Sequence, residues 1–146
     1  MSAPEDMLTS SHPLCIYSGY LGGSWLDWEY FQILENRNIC TNVVGALKYD
    51  VTNVPIRHDI NQYQKINFVD EKPFNEALQY MAASHIGIIP FQDEKICRAV
   101  DPIKAYDYWA AGLWCVASPE MIELKNRDFV ILAEKKRLAE SNKRSI

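Results

Sequence analysis

The chain has little of what marks several large classes of protein. Only 6 glycines and 7 prolines occur among its 146 residues, which excludes collagen-like and low-complexity composition. Its four cysteines, at positions 15, 40, 97 and 115, form no Cys-x-x-Cys pair. The histidines His12, His58 and His85 stand far apart with no cysteine at zinc spacing, so no metal site is expected. There is no basic surplus: 19 acids against 15 Lys plus Arg give a net charge of −4. A protein that grips phosphodiester backbones by charge carries the opposite sign, so nucleic acid is not an expected partner. No apolar run approaches the 18 or so residues of a bilayer crossing, so no transmembrane segment is expected. The chain opens MSAPED, with acids where a secretory signal needs positive charge and no apolar stretch behind them. A cytoplasmic location is the resulting expectation.

What is present reads as one ordinary domain, 48% hydrophobic and 12% aromatic. Residues 1–13 are polar and read as a leader, 14–132 as the domain, and 133–146 as a charged tail or helix. Within the domain, LCIYSGY (14–20) predicts a strand closed by Gly22-Gly23. Ser24 and Asp27 resemble a capping box ahead of a helix of about twelve residues whose apolar positions are Trp25, Trp28, Phe31 and Leu34. Strands follow at 39–44, 66–69, 85–91, 113–117 and 129–132. The segment 47–65 offers no core element. Pro73 introduces a helix over 74–84 with Phe74, Ala77, Leu78 and Met81 on one face. A third helix opens at Asp101-Pro102, acid as cap and proline at the first helical position, and ends at Gly112. Continuous apolar strands alternating with helices predict a single doubly wound, Rossmann-like parallel sheet of about six strands. Cys15, Cys40 and Cys115 lie in apolar runs and read as buried, reduced thiols. Trp25, Trp28, Trp109 and Trp114 read as core, with sugar-stacking platforms as the alternative.

Ligands of open parallel sheets sit beyond the carboxyl ends of the strands. Those ends are Ser18-Gly19, the corner Val69-Asp70-Glu71, Pro90-Phe91 and the loop into the helix at Pro102. The loop from Gly19 to Ser24 is not G-x-G-x-x-G, so a dinucleotide fingerprint is lacking. It is either a tight turn or a place where backbone approaches a ligand. The stretch Arg98 to Tyr108 is richer. A helix start offers amides and the positive end of a dipole, Arg98 precedes it, and Lys104 lies in its first turn; together they suit a pyrophosphate. Asp107 then offers a carboxylate to the hydroxyls of a ribose. The plain alternative is that Lys104 and Asp107 form a surface pair and Asp101 a simple cap.

The run HIGIIPFQDEKICRAVDPIKAYDYWAAGLWCVAS (85–118) resembles the C-terminal, donor-binding half of GT-B glycosyltransferases, in particular the family 4 and group 1 type. The likeness rests on Pro90, the Asp101-Pro102-Ile103-Lys104 start, Asp107-Tyr108, Ala110-Ala111-Gly112 and Val116-Ala117. YSGYLGGSWLDWEYF and VDEKPFNEALQYMAAS are also similar to such proteins. Asp107 and Ala99 stand where the family commonly has two glutamates. The resemblance implies that Asp107 holds the donor ribose and that Lys104 and Arg98 hold the diphosphate with the backbone of Pro102, Ile103 and Lys104. It also implies that Asp70 and Glu71 meet the base. The implied donor is a UDP- or GDP-linked sugar, with no bound metal and no other cofactor. A GT-B enzyme has two such halves, so the acceptor site is expected on an N-terminal half or a partner chain. The basic tail leaves contact with a membrane surface open. Two other classes stay in view: a non-catalytic nucleotide-sugar-binding or regulatory module, and an unrelated flavodoxin-like or receiver-like domain. The acid trio of a phospho-receiver is not visible.

Overall fold

The computed structural model describes residues 3–10, 13–19, 21, 26–46, 60–92, 103–119, 121 and 128–133. Six parallel strands form one sheet: β1 (Cys15–Ser18), β2 (Thr41–Val44), β3 (Ile66–Phe68), β4 (Ile86–Ile89), β5 (Trp114–Ala117) and β6 (Val130–Leu132). Their spatial order is β3-β2-β1-β4-β5-β6. Among the described residues three α-helices accompany them: α1 (Glu29–Asn36), α2 (Phe74–Ala82) and α3 (Ile103–Ala110). The fold is the expected Rossmann-like α/β sheet. Strand order reverses between β1 and β4, and such a reversal leaves a crevice at the carboxyl ends.

The register sorts side chains onto two faces. Tyr17 stands beside Val43, and Val43 beside Phe68. On that face α1 packs through Phe31, whose ring centroid lies 6.0 Å from Tyr17 and 6.2 Å from Phe68. Ile16, Asn42, Asn67, Gly87 and Cys115 line the other face, where α3 lays Tyr108 against Gly87. Both faces being covered explains why most strand positions are apolar, Asn42 and Asn67 being exceptions.

Residues 3–10 also lie on this second face. The Asn42 side chain accepts from the Leu8 N–H and donates to the Leu8 carbonyl, each at 2.9 Å. Asn67 Nδ2 donates to the Asp6 carbonyl at 2.7 Å and to Asn42 Oδ1 at 2.8 Å. Met7 is buried beneath. The polar segment at the start of the chain is therefore a strap across β2 and β3, and Asn42 is tolerated within a strand because the strap's backbone satisfies its amide.

Both α1 and α3 end in Schellman turns. After α3, Gly112 has φ +86 and donates to the Trp109 carbonyl at 2.9 Å, while Leu113 donates to Tyr108 at 2.9 Å. After α1, Asn38 takes the left-handed position at φ 57, with Ile39 donating to Leu34.

The start of α1 differs from the capping-box reading. The helix begins at Glu29 and has 8 residues rather than about twelve. Asp27 N–H donates to the Pro90 carbonyl at 2.8 Å and Leu26 bridges Phe91 antiparallel, so this stretch is tied to the end of β4 before the helix can start. Asp27 Oδ1 accepts the Glu29 N–H at 3.2 Å. Ser24 and Trp25 lie outside the described residues.

Two further expectations are corrected. Trp109 and Trp114 are not core: they are 60% and 58% exposed. The inner face of α3 is taken by Ala105 and Tyr108, which turns Trp109 outward to stack on Phe129 at 5.4 Å. Trp28 does pack against the core, stacked on Phe68 at 6.0 Å. Phe74 is 58% exposed although it shares the helical face of Ala77 and Met81; it is the first residue of α2 and stands on the wall of the cleft described below. Cys15, Cys40 and Cys115 are buried free thiols, as their apolar runs predict. Among the described residues, no helix is long and apolar enough to cross a membrane.

Candidate functional site

At the reversal point the ladder between β1 and β4 stops early. The strands pair at Cys15 with Ile86 and at Ile16 with Gly87. In a parallel ladder the continuing bonds would bring the Ser18 N–H to the Ile88 carbonyl. The phenol of Tyr108 stands between them instead. It accepts from Ser18 N at 3.2 Å and donates to the Ile88 carbonyl at 3.1 Å. Burial pushes the Tyr108 phenol well above its ordinary pKa, so it keeps the proton that this bridge requires. Gly87 makes room: the Tyr108 ring occupies the space a side chain at 87 would fill.

Beyond this gap lies a cleft of about 340 Å³ lined by Ser18 and Gly19 after β1, Val44, Gly45 and Ala46 after β2, Glu71, Lys72, Phe74 and Ala77 around the start of α2, and Lys104 of α3. That volume lies at the lower end of ordinary small-molecule sites. Its floor is backbone because two glycines meet there. A side chain at Gly45 would strike the Gly19 carbonyl oxygen at 2.2 Å, and Gly19 N–H donates to the Val44 carbonyl at 2.9 Å.

Lys104 is the cation placed most deliberately. Its ammonium donates to the Ser18 carbonyl at the carboxyl end of β1 and lies 5.9 Å from the centroid of the Tyr17 ring. It fits only because position 19 is glycine: a side chain there would come within 2.6 Å of Nζ. Burial lowers the Lys104 pKa, and the nearby Asp107 charge opposes that shift. A lysine ammonium has three donors. With one on Ser18, the group is a fixed positive charge at the wall of a cleft whose floor is main chain.

The structure brings together Gly19, Glu71 and Lys104 from the sequence-derived candidates. Ile103, next to Lys104 in the chain, opens α3. Asp70 is not on the cleft wall. It takes a left-handed backbone at φ 70, and its side chain accepts the Glu71 N–H at 2.8 Å, forming the turn that aims the chain into α2. Asp107, one turn beyond Lys104, is half-buried and also off that wall. Arg98, Asp101 and Pro102 lie outside the described residues, as do Cys97, the Gly22-Gly23 turn and the tail from 134. The sequence reading missed Gly45, Lys72 and Tyr108. Gly45 had a signal, since glycine directly after a buried parallel strand marks close backbone approach. Tyr108 and Lys72 had none, because their roles depend on residues 20 and 66 positions away.

No protein-family model and no curated protein matches the chain.

Proposed function

We propose that this cleft binds the diphosphate of a UDP- or GDP-linked sugar. The chain would then serve as the donor-binding half of a GT-B-type glycosyltransferase, the acceptor being held by an N-terminal half or a partner chain. The observation that supports this reading most is Lys104. A buried ammonium is costly to desolvate, and it is retained here at the carboxyl end of β1, where doubly wound sheets take anionic ligands. In glycosyl transfer, negative charge develops on the departing diphosphate as the sugar–phosphate bond breaks. A fixed cation beside a main-chain floor stabilises that charge with little reorganisation. The nucleotide is substrate in this reading, and no resident cofactor is involved.

One observation favours the second reading, a non-catalytic nucleotide-sugar-binding module: Asp107, the acid that the resemblance assigns to ribose, is off the cleft wall. Calorimetric titration of the full chain with UDP, GDP and ADP tests what both readings share. Binding of at least one nucleotide is expected, weakened about tenfold or more in Lys104→Ala. Absence of heat and of thermal shift with all three would overturn both. Sugar transfer to an acceptor after an acceptor-binding half is added separates the first reading from the second.

A further inference from the structure

We propose that Lys72 is a second anion-binding side chain of this cleft, and that Asp6 of the N-terminal strap competes with the ligand for it, so that the docked strap weakens the cleft's hold on a diphosphate. The inference rests on the diphosphate reading above and adds to it a residue and a means of control.

Lys72 stands on the cleft wall with Lys104, between the Asp70-Glu71 turn and the start of α2. Its ammonium lies 3.4 Å from Asp6 Oδ2 and 6.0 Å from the centroid of the Tyr80 ring. The Asp6 carboxylate has a second, firmer partner, since Tyr80 donates its hydroxyl to Oδ1 at 2.5 Å. The two ends of the ion pair are therefore unequal. Asp6 is held by Tyr80, by Asn67 on its own carbonyl and by the Leu8–Asn42 pair one residue past Met7. Its position does not depend on Lys72. Lys72 has a flexible four-carbon stem, and its side chain is 25% exposed against 48% for Asp6. A single ion pair this open to water is weak, whereas a diphosphate offers several charge-assisted contacts at once. An anion entering the cleft can take the lysine while the strap stays docked. Glu71, also on the wall, opposes anions in every variant below and so does not alter the comparison.

Calorimetric titration of the full chain with UDP decides the matter, using Asp6→Asn, Lys72→Gln, Lys72→Arg and the Asp6→Asn/Lys72→Gln pair. Asparagine at 6 keeps an acceptor for Tyr80 and removes only the charge. The expected results are UDP binding about two- to five-fold tighter in Asp6→Asn, about tenfold weaker in Lys72→Gln, and within about two-fold of wild type in Lys72→Arg, which keeps the charge. The decisive expectation is that Asp6→Asn produces no gain once Lys72 is glutamine. An equal gain in both backgrounds would mean that Asp6 acts only through bulk charge, and the inference would fall. It would fall alone if wild type binds UDP, Lys104→Ala weakens binding, and Lys72→Gln has no effect. If wild type binds none of UDP, GDP or inorganic pyrophosphate, the diphosphate reading falls and takes the inference with it.

Discussion

Replacing Gly87 with alanine tests how the crevice is held open. The added methyl carbon would lie 2.2 Å from Cδ2, 2.3 Å from Cγ and 2.6 Å from Cδ1 of Tyr108. Carbon atoms pack at about 3.5–4.0 Å, so the ring must retreat by more than about 1 Å. It has nowhere to go, being fully buried with its hydroxyl engaged on both sides. Overpacking of this kind costs about 1–3 kcal/mol. If the ring yields, the Ser18 N–H and Ile88 carbonyl lose their shared partner at about 1–3 kcal/mol more. The expected total is about 2–6 kcal/mol, read as a lower urea midpoint at unchanged slope by circular dichroism. Tyr108→Phe keeps the ring and removes the hydroxyl, which isolates the second contribution. In a Tyr108→Ala background most of the Gly87→Ala cost should vanish, because alanine lacks the Cγ, Cδ1 and Cδ2 atoms that clash. An unchanged midpoint in Gly87→Ala, or full additivity with Tyr108→Ala, would refute the reasoning.

Gly19→Ala should lower the urea midpoint less than Gly87→Ala does, since its closest clash is with the flexible end of Lys104 at 2.6 Å and only the Tyr17 hydroxyl, at 2.9 Å, is rigidly placed; UDP affinity should fall toward that of Lys104→Ala, and wild-type affinity would contradict this account. Asp6 should contribute to the acid limb of stability. The Tyr80 hydrogen bond holds its carboxyl below the ordinary 3.8, so between that lowered value and 3.8 the folded chain binds fewer protons than the unfolded one. The contribution is complete above pH 3.8 and is lost as pH falls through the lowered value. Urea midpoints followed from about pH 5 to about pH 2 should fall less steeply in Asp6→Asn, and parallel curves would count against the strap's hold. Burial pushes the thiols of Cys15 and Cys115 up to about 12, so an aromatic disulfide reagent should label them at about pH 8 only as fast as the chain unfolds. Rapid labelling of more than one thiol in the native chain would contradict the packing described.

The sheet was legible because its central strands are covered on both faces and are mostly apolar, as in Ile86–Ile89, where Gly87, Ile88 and Ile89 are buried. The helix ends were legible where a turn demands a particular residue, as at Gly112. The start of α1 was not, because Leu26 and Asp27 pair with Phe91 and Pro90 across the fold, and no local signal reports such a contact. Phe74 has the right spacing for the core and still faces out, since spacing says which way a residue points but not whether the sheet extends beneath it. Trp109 shows the converse: its place on α3 is set by the need to seat Tyr108 on Gly87. For the site, Gly19, Glu71 and Lys104 could be picked out as ends of elements in a doubly wound sheet. The tie between Lys72 and the strap could not, because it joins positions 6 and 72 through folding alone.

Tyr108 acts as a strut. A phenol is stiff and of fixed length, so the aperture between the two central strands is set by covalent geometry rather than by a balance of weak forces. Such an aperture needs no ligand to prop it and has little tolerance for partial change, since every shorter or longer side chain at 108 resets the position of the Ser18 carbonyl and, with it, the charge that the carbonyl anchors.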